Sequence, residues 1–258
     1  MVQADSVGIS IVNQVGWIEF DRPPVNAIDW SMLAAIHERI DRVLADPQIR
    51  VAVLASALPG YFSAGADLQN FKDIAAADMR RWVALCHRVV QLLRHSPKPV
   101  LAAINGTAVG GGLEMTLHCD LRFAAADARL GQPEIAIGFI PPVGATQALA
   151  RLLGRSRAIR YLYDGQMIDA PTALDWGMVD EVVPPERLRA HVQAYAEQLA
   201  GKSATALAAI RRTITLGGGM NFDEGLALEL DTAAALVEPP DFKAGVSAFL
   251  ARRSARKP

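Results

Sequence analysis

The sequence predicts an α/β fold, in which strands and helices alternate along the chain. Two apolar runs near the start, residues 7–12 and 15–20, flank Asn13-Gln14 and indicate a β-hairpin. Residues 49–56 and 99–105 are apolar at most positions, which is typical of strands covered on both faces of a sheet. Each of these two runs follows a segment with apolar residues at helical spacing, so the order of helix and strand repeats.

The elements between these landmarks follow from local signals. Ser31 stands at the start of a helical pattern, which Asp46-Pro47 ends. The remaining predictions are a loop at 57–68, a helix at about 79–93, and strands at 121–127 and near 179–183. The strand at 99–105 is expected to run straight into the three glycines at 110–112. The pattern as a whole indicates repeated strand-strand-helix units.

After Ala200 the pattern changes to helix alone. Three helical patterns follow one another with no strand between them, at residues 202–216, 222–237 and 241–253. Gly217-Gly218-Gly219 is interpreted as a plain connector, with Asn221 as the cap of the next helix. We therefore expect a core at residues 1–200 and a helical region at residues 201–258.

Composition narrows the classes of function. The chain has 258 residues, is 51% hydrophobic and carries a formal net charge of -1, so nothing in its overall charge indicates binding to nucleic acid or to a membrane surface. Residues 1–10 lack the pattern of a secretory signal, and no apolar run approaches the roughly 20 residues that span a bilayer. Cys86 and Cys119 have no metal-ligand spacing and are expected to be reduced thiols in a cytoplasmic protein.

The stretch Asn105-Gly-Thr-Ala-Val-Gly-Gly-Gly-Leu-Glu114 is the strongest local signal for a site. It matches neither the dinucleotide-binding nor the P-loop glycine pattern. Bare amides at the start of a helix attract negative charge, and Glu114, three residues beyond Gly111, is expected to face the same ligand. The competing interpretation is that the glycines allow close packing and Glu114 is an ordinary first-turn acid.

Two further stretches favour a binding site. Residues 63–68 (SAGADL) place a glycine among small residues after a buried strand, so the N–H of Ala66 is expected to converge with that of Gly111. Residues 131–134 (GQPE) place Glu134 in an otherwise apolar segment, 20 residues beyond Glu114. Each signal alone is weak, and their order along the chain gives them weight.

Taken in order, FSAGADL (62–68), NGTAVGGGLE (105–114), GQPE (131–134) and IPPVGATQAL (140–149) strongly resemble the enoyl-CoA hydratase family of the crotonase superfamily. The resemblance covers essentially the whole chain. It implies a spiral core of strand-strand-helix units, and a C-terminal helical region that builds trimers, often paired into hexamers. It also implies an acyl-CoA thioester as substrate, with coenzyme A entering as part of that substrate and no metal or redox cofactor.

Carried over residue by residue, the resemblance assigns roles to these positions. Glu114 and Glu134 would be the catalytic acids, with Glu114 activating water and Glu134 delivering a proton to C2. The backbone N–H groups of Ala66 and Gly111 would form the oxyanion hole. The predicted substrate contacts are Ala64, Ala66, Asp67, Leu68, Gln69, Gly111, Pro133 and Pro142.

Other interpretations remain open at this point. Enoyl-CoA isomerases resemble the chain but generally lack the acid at the Glu114 position, so two glutamates favour hydration over isomerisation or another acyl-CoA reaction. A non-catalytic scaffold that binds RNA or a partner through the basic tail at 251–258 is the weakest alternative.

The sequence departs from the family pattern at three positions. Gln69 replaces a frequent lysine, and Pro142 and Ala145 stand where the loop is usually rich in glycine. Pro142 has no N–H to donate, so we expect the two glutamates to position the catalytic water and the stiff loop to narrow the choice of acyl group.

Overall fold

The computed structural model describes residues 6–254, and it begins with the predicted hairpin. Strands β1 (Val7–Val12) and β2 (Val15–Phe20) pair in antiparallel register. Asn13 and Gln14 both have positive φ, 48° and 68°, which is the backbone that a tight two-residue hairpin turn requires. The sequence expectations for residues 1–5 and 255–258 lie outside the described residues.

The hairpin opens a six-stranded sheet that forms the centre of the core. The strands that follow β2 in this sheet are β3 (Val51–Ser56), β5 (Val100–Ile104), β7 (Leu121–Ala125) and β10 (Glu181–Val183). They lie in the order β1-β2-β3-β5-β7-β10, and every pair after the hairpin is parallel. β3 is buried at every position except its last and β5 at every position, which confirms the prediction of strands covered on both faces.

A second sheet of four short strands was not predicted. Its members are β4 (Gly60–Ser63), β6 (Gly106–Val109), β8 (Arg129–Gly131) and β9 (Met167–Asp169), in the order β4-β6-β8-β9. The prediction of a loop at 57–68 is therefore wrong for Gly60–Ser63, which form β4. The expectation that the strand at 99–105 runs directly into the glycines is also wrong, because β6 lies between them. Strands of three or four residues are too short to show a period of two.

Close approach of backbones explains one glycine in this sheet. A Cβ on Gly106 would lie 2.2 Å from the backbone carbon and oxygen of Gly60 in the paired strand. The two sheets together give the predicted repeat, because β1-β2, β3-β4, β5-β6 and β7-β8 are each followed by a helix. The α/β class and its strand-strand-helix units are confirmed.

The first helix begins earlier than its pattern suggested. α1 (Trp30–Ala45) is capped by Asp29, whose side chain accepts the N–H of Met32 at 2.8 Å. Ser31 lies inside the helix and donates its hydroxyl to Asp29, so its prediction as the start of the helix is wrong. Aspartate competes well with serine as an N-cap, and an ion pair with Arg22 also holds Asp29 in place.

Six more helices complete the part of the chain before residue 201. They are α2 (Ala76–His95), α3 (Gly111–Thr116), α4 (Ala145–Leu153), α5 (Arg155–Asp164), α6 (Ala170–Asp175) and α7 (Leu188–Ala200). Between residues 6 and 254, none of the helices is both long enough and apolar enough to cross a bilayer.

The chain ends in three helices, as predicted: α8 (Ala204–Gly217), α9 (Phe222–Leu236) and α10 (Pro240–Ser254). Asn221 caps α9 in a reciprocal capping box with Glu224. Arg211 of α8 is buried and joins this region to the core. Its Nε lies 2.8 Å from Asp120 Oδ2, and its Nη1 donates to the carbonyls of Arg94 and Ser96 at the end of α2.

Candidate active site

One apolar cavity of about 250 Å³ collects most of the residues predicted as a site. Its walls come from the start of α1, residues 64–71, one face of α2, the start of α3 and residues 133–143. The predicted residues on these walls are Ala64, Ala66, Leu68, Gly111, Glu114, Pro133, Glu134 and Pro142. Five segments of the chain therefore meet around one space.

Asp67 and Gln69 lie outside that cavity. Asp67 caps the 3-10 helix Leu68–Phe71 by accepting the N–H of Gln69 at 3.2 Å, and it pairs with Arg22 at 3.3 Å. Gln69 lines a separate surface depression beside Trp30. The structure gives Asp67 a role in capping this 3-10 helix, and contact of either residue with a substrate stays a prediction.

The three glycines before Glu114 have different neighbours. Gly110 has a φ of 51°, and a Cβ there would lie 2.8 Å from Glu134 Oε1. A Cβ on Gly112 would lie 2.5 Å from that of Ser63 in β4, so close packing requires this glycine. Gly111 has more room, with its nearest contact a methyl of Val143 at 3.6 Å. The triplet thus brings α3 against β4 and brings Glu134 against the backbone.

The amides of Ala66 and Gly111 are not used by the fold. Ile28 and Ala66 form a parallel bridge, but its hydrogen bonds run from Ile28 N to Gly65 O and from Asp67 N to Ile28 O. Gly111 is the first residue of α3, where N–H groups have no intrahelical partner. Within residues 6–254 neither N–H donates to a protein acceptor, so both are available to a ligand in the cavity.

Glu114 is fully buried, and hydrogen bonds to one of its two carboxyl oxygens hold it in place. Its Oε2 accepts the N–H groups of Val143 at 2.7 Å and Ala145 at 3.1 Å. Its Oε1 has no hydrogen-bond partner in the described part of the chain. Burial raises the pKa of Glu114 to about 8; the Ala145 and Val143 N–H groups oppose that shift, and the nearby Glu134 carboxylate adds to it.

Glu134 begins the 3-10 helix Glu134–Ile137, and burial raises its pKa as well. Gln132, which is only 1% exposed, places its side-chain amide against this carboxylate; with its nitrogen turned toward Glu134, the amide donates to Oε2 at 3.1 Å and to Oε1 at 3.2 Å. Gln132 was not among the predicted site residues. A polar side chain beside a glutamate in an apolar segment was the available signal, because a buried amide needs a partner.

The rest of the cavity is apolar. Met79, Trp82, Cys86 and Val89 of α2 line it at spacings of three, four and three residues, which is one helix face. Trp82 is fixed edge-on between Trp30 and Phe71, with ring centroids 5.0 and 5.1 Å away. Burial raises the pKa of the Cys86 thiol to about 12, so this wall stays uncharged. Among the described lining residues, only the two glutamates can ionise near neutral pH.

The arrangement suits proton transfer beside a developing oxyanion. Two carboxyls with raised pKa values share a low-dielectric space, where like charges disfavour double ionisation and one proton is readily held between them. Two unused amides line the same space. Such a site can move protons to and from a polarised substrate whose remaining part is apolar.

The chain is similar in sequence to known proteins over most of its length. Residues 10–256 match the family model described as enoyl-CoA hydratase/isomerase. The chain is 34% identical to a crotonyl-CoA hydratase of Syntrophomonas wolfei, over 90% of this chain and 89% of the relative. It is also 34% identical to an (E)-benzylidenesuccinyl-CoA hydratase of Thauera aromatica, over 96% and 97% of the two chains.

The fold is similar to solved structures over nearly its full length. A crystal structure of an enoyl-CoA hydratase from Bacillus anthracis superimposes with a TM-score of 0.92 at 30% identity, covering 96% of each chain. That agreement confirms the spiral core and the helical C-terminal region implied by the four motifs.

Proposed function

The chain belongs to the enoyl-CoA hydratase/isomerase family, and from that premise we propose that it adds water across the 2,3 double bond of a 2-enoyl-CoA thioester to give a 3-hydroxyacyl-CoA. The observation that carries the proposal is that the fully buried Glu114 and the half-buried Glu134 line one apolar cavity together with the unused amides of Ala66 and Gly111. Hydration needs each of these groups.

The amides would answer the charge that develops during the reaction. When water attacks C3, electrons move through C2 to the thioester oxygen and form an enolate. Hydrogen bonds from Ala66 and Gly111 to that oxygen would stabilise the enolate, and the loss of one such donor typically costs about 3 to 4 kcal/mol. Both donors are backbone groups, so the main chain holds them in fixed positions.

The two glutamates would balance the protons. Glu114 as a carboxylate takes a proton from water as oxygen bonds to C3, and Glu134 as an acid gives a proton to C2. One proton then returns between the carboxyls before the next turnover. Deeper burial favours the proton on Glu114 in the free protein, whereas these roles need it on Glu134, so we assign the shared proton to the pair.

The lining of the cavity supports an uncharged acyl group. None of its described residues is a lysine or arginine that would pair with a second carboxylate on the substrate. The two relatives compared above are equally similar to this chain and are named for different acyl groups, so the acyl chain itself is a matter for kinetics.

Hydration of crotonyl-CoA is the direct test of the proposal. We expect the absorbance of the conjugated double bond to fall with time, and a scan of enoyl-CoA thioesters to give the preferred chain length. A lack of turnover on short, medium and branched 2-enoyl-CoAs would rule the proposal out. Conversion of a 3-enoyl-CoA into the 2-enoyl isomer without hydration would favour the isomerase alternative, and nucleic-acid retention without turnover would favour a scaffold.

We also propose that the chain forms a homotrimer or a homohexamer. The C-terminal helices expose large apolar side chains, among them Ile214 at 72%, Phe222 at 79% and Leu230 at 70%. Such faces are usually covered by another surface. Light scattering at micromolar concentration is expected to give three or six times the mass of one chain. A strict monomer at that concentration would contradict the proposal.

A cytoplasmic location and a cofactor-free reaction complete the proposal. Cys86 and Cys119 are free and buried, which fits a reducing compartment. The proposed reaction uses carboxyls and amides of the chain itself, and coenzyme A is present only as part of the thioester substrate.

A further inference from the structure

The segment that holds Glu114 is itself held by two histidines. The N–H groups of Val143 and Ala145 go to Glu114. The carbonyls of the same segment point to imidazoles: Pro142 O lies 2.9 Å from His87 Nε2, and Val143 O lies 2.7 Å from His118 Nε2. Neither histidine belongs to one of the four sequence motifs.

Both histidines must act as donors in these contacts. A carbonyl oxygen only accepts, so Nε2 carries the proton in each ring. Burial lowers the pKa of His118 to about 4, which keeps its imidazole neutral with a single proton. That proton lies on Nε2, and the buried Nδ1 has no partner in the described part of the chain. His118 is therefore fixed in one tautomer by Val143.

Packing leaves little room for the segment to move. Gly144 has a φ of 90°, and a Cβ there would lie 2.8 Å from both Cε1 and Nε2 of His118. The ring therefore lies directly against the backbone between the two amides that bind Glu114. His118 follows Glu114 by four residues, so one short stretch supplies the acid and also the imidazole that holds the donors of that acid.

We infer that His118, assisted by His87, is a positioning residue for Glu114. By holding the carbonyls of Pro142 and Val143, the two rings aim the Val143 and Ala145 amides at Oε2 and leave Oε1 for the reacting water. The inference rests on the proposed function for its kinetic effect. Neither histidine lines the cavity, so the effect is expected in turnover and not in substrate binding.

The test compares variants that remove or keep the donor. His118→Leu removes the N–H with little change in volume, and His118→Gln keeps an amide N–H near the place of Nε2. We expect His118→Leu to lower kcat about tenfold with KM within about twofold of wild type, and His118→Gln to recover most of the loss. His87→Leu, at an exposed position, is expected to lower kcat about threefold. His191→Leu is the matched control and is expected to leave kcat unchanged, because His191 of α7 pairs with Glu181 of β10 and neither residue lines the cavity.

A second readout needs no turnover. Hydrogen exchange of the Val143 and Ala145 amides, followed in the substrate-free protein, is expected to quicken at least about tenfold in His118→Leu and to stay slow in His118→Gln. Unchanged exchange and unchanged kcat in His118→Leu would overturn the inference, as would equal losses in the leucine and glutamine variants. If His118→Leu does not fold, His87→Leu decides by the same two measurements. A wild-type protein without hydratase activity would refute the proposed function, and the exchange data would still test the positioning.

Discussion

Replacing Glu114 with glutamine is expected to lower kcat for hydration by at least about 100-fold, the lower end of the range for a general acid or base. Glutamine still offers an oxygen to the N–H groups of Val143 and Ala145, so the side chain keeps its place. It cannot take a proton from water. The measurement is the steady-state rate on the best enoyl-CoA substrate, and near-normal kcat would reject the role of Glu114.

Two controls separate lost chemistry from lost structure. Binding of a saturated acyl-CoA, which lacks the reacting double bond, is expected to stay close to wild type. Thermal stability gives the second control, because the pKa of Glu114 is raised from 4.5 to about 8 in the folded protein. The stability due to that proton is complete below about pH 4.5, falls as the pH rises above that value and is lost by about pH 8, so wild type is expected to lose stability relative to Glu114→Gln between about pH 4.5 and about pH 8.

The motifs indicated the lining of this cavity because each of them reflects a local requirement of the backbone. Gly112 packs against Ser63, and Gly110 has a positive φ beside Glu134. Because such positions require glycine, the glycines in the sequence indicate where backbone segments approach closely. The buried strands β3 and β5 could also be predicted, because a strand that is buried on both faces has an almost continuous apolar sequence.

Contacts between segments that are distant along the chain could not be predicted from the sequence. The interpretation of the loop at 140–149 rested on the missing N–H of Pro142. The structure shows that this loop supplies two N–H groups to Glu114 and two carbonyls to histidines. His118 stands just after the short helix α3 and belongs to none of the four motifs. Its partner lies 25 residues further along the chain, and no periodic pattern reports a contact of that kind.

Short elements were missed for a related reason. β4, β6, β8 and β9 contain three or four residues each and are held by pairing with one another more than by their own composition. Glycine is unfavourable in strands, yet the structure favours it at both positions: a Cβ on Gly106 would lie 2.2 Å from the backbone of Gly60, and Gly60 itself has a φ of 72°. At these two positions the pairing of β4 with β6 outweighed the low preference of glycine for strands.

Replacing Glu134 with glutamine is expected to lower kcat for hydration by at least about 100-fold and also to abolish proton exchange at C2. Hydration needs an activated water and a proton at C2, whereas exchange of a C2 hydrogen with solvent needs only a base beside C2 and stabilisation of the enolate by the amides. If Glu134 serves C2, its loss removes both activities, and the loss of Glu114 removes hydration alone. The fold is expected to tolerate the change, because the new amide can turn its oxygen toward Gln132.

Deuterium uptake at C2 of a saturated acyl-CoA in D₂O measures the second activity separately. We expect Glu114→Gln to retain that uptake and Glu134→Gln to lose it, while Glu186→Gln, an exposed glutamate far along the chain, behaves as wild type in both assays. The reverse pattern, with uptake kept in Glu134→Gln and lost in Glu114→Gln, would exchange the two roles. Uptake lost in both variants would mean that the carboxyls act only as a pair, with the shared proton as the working group.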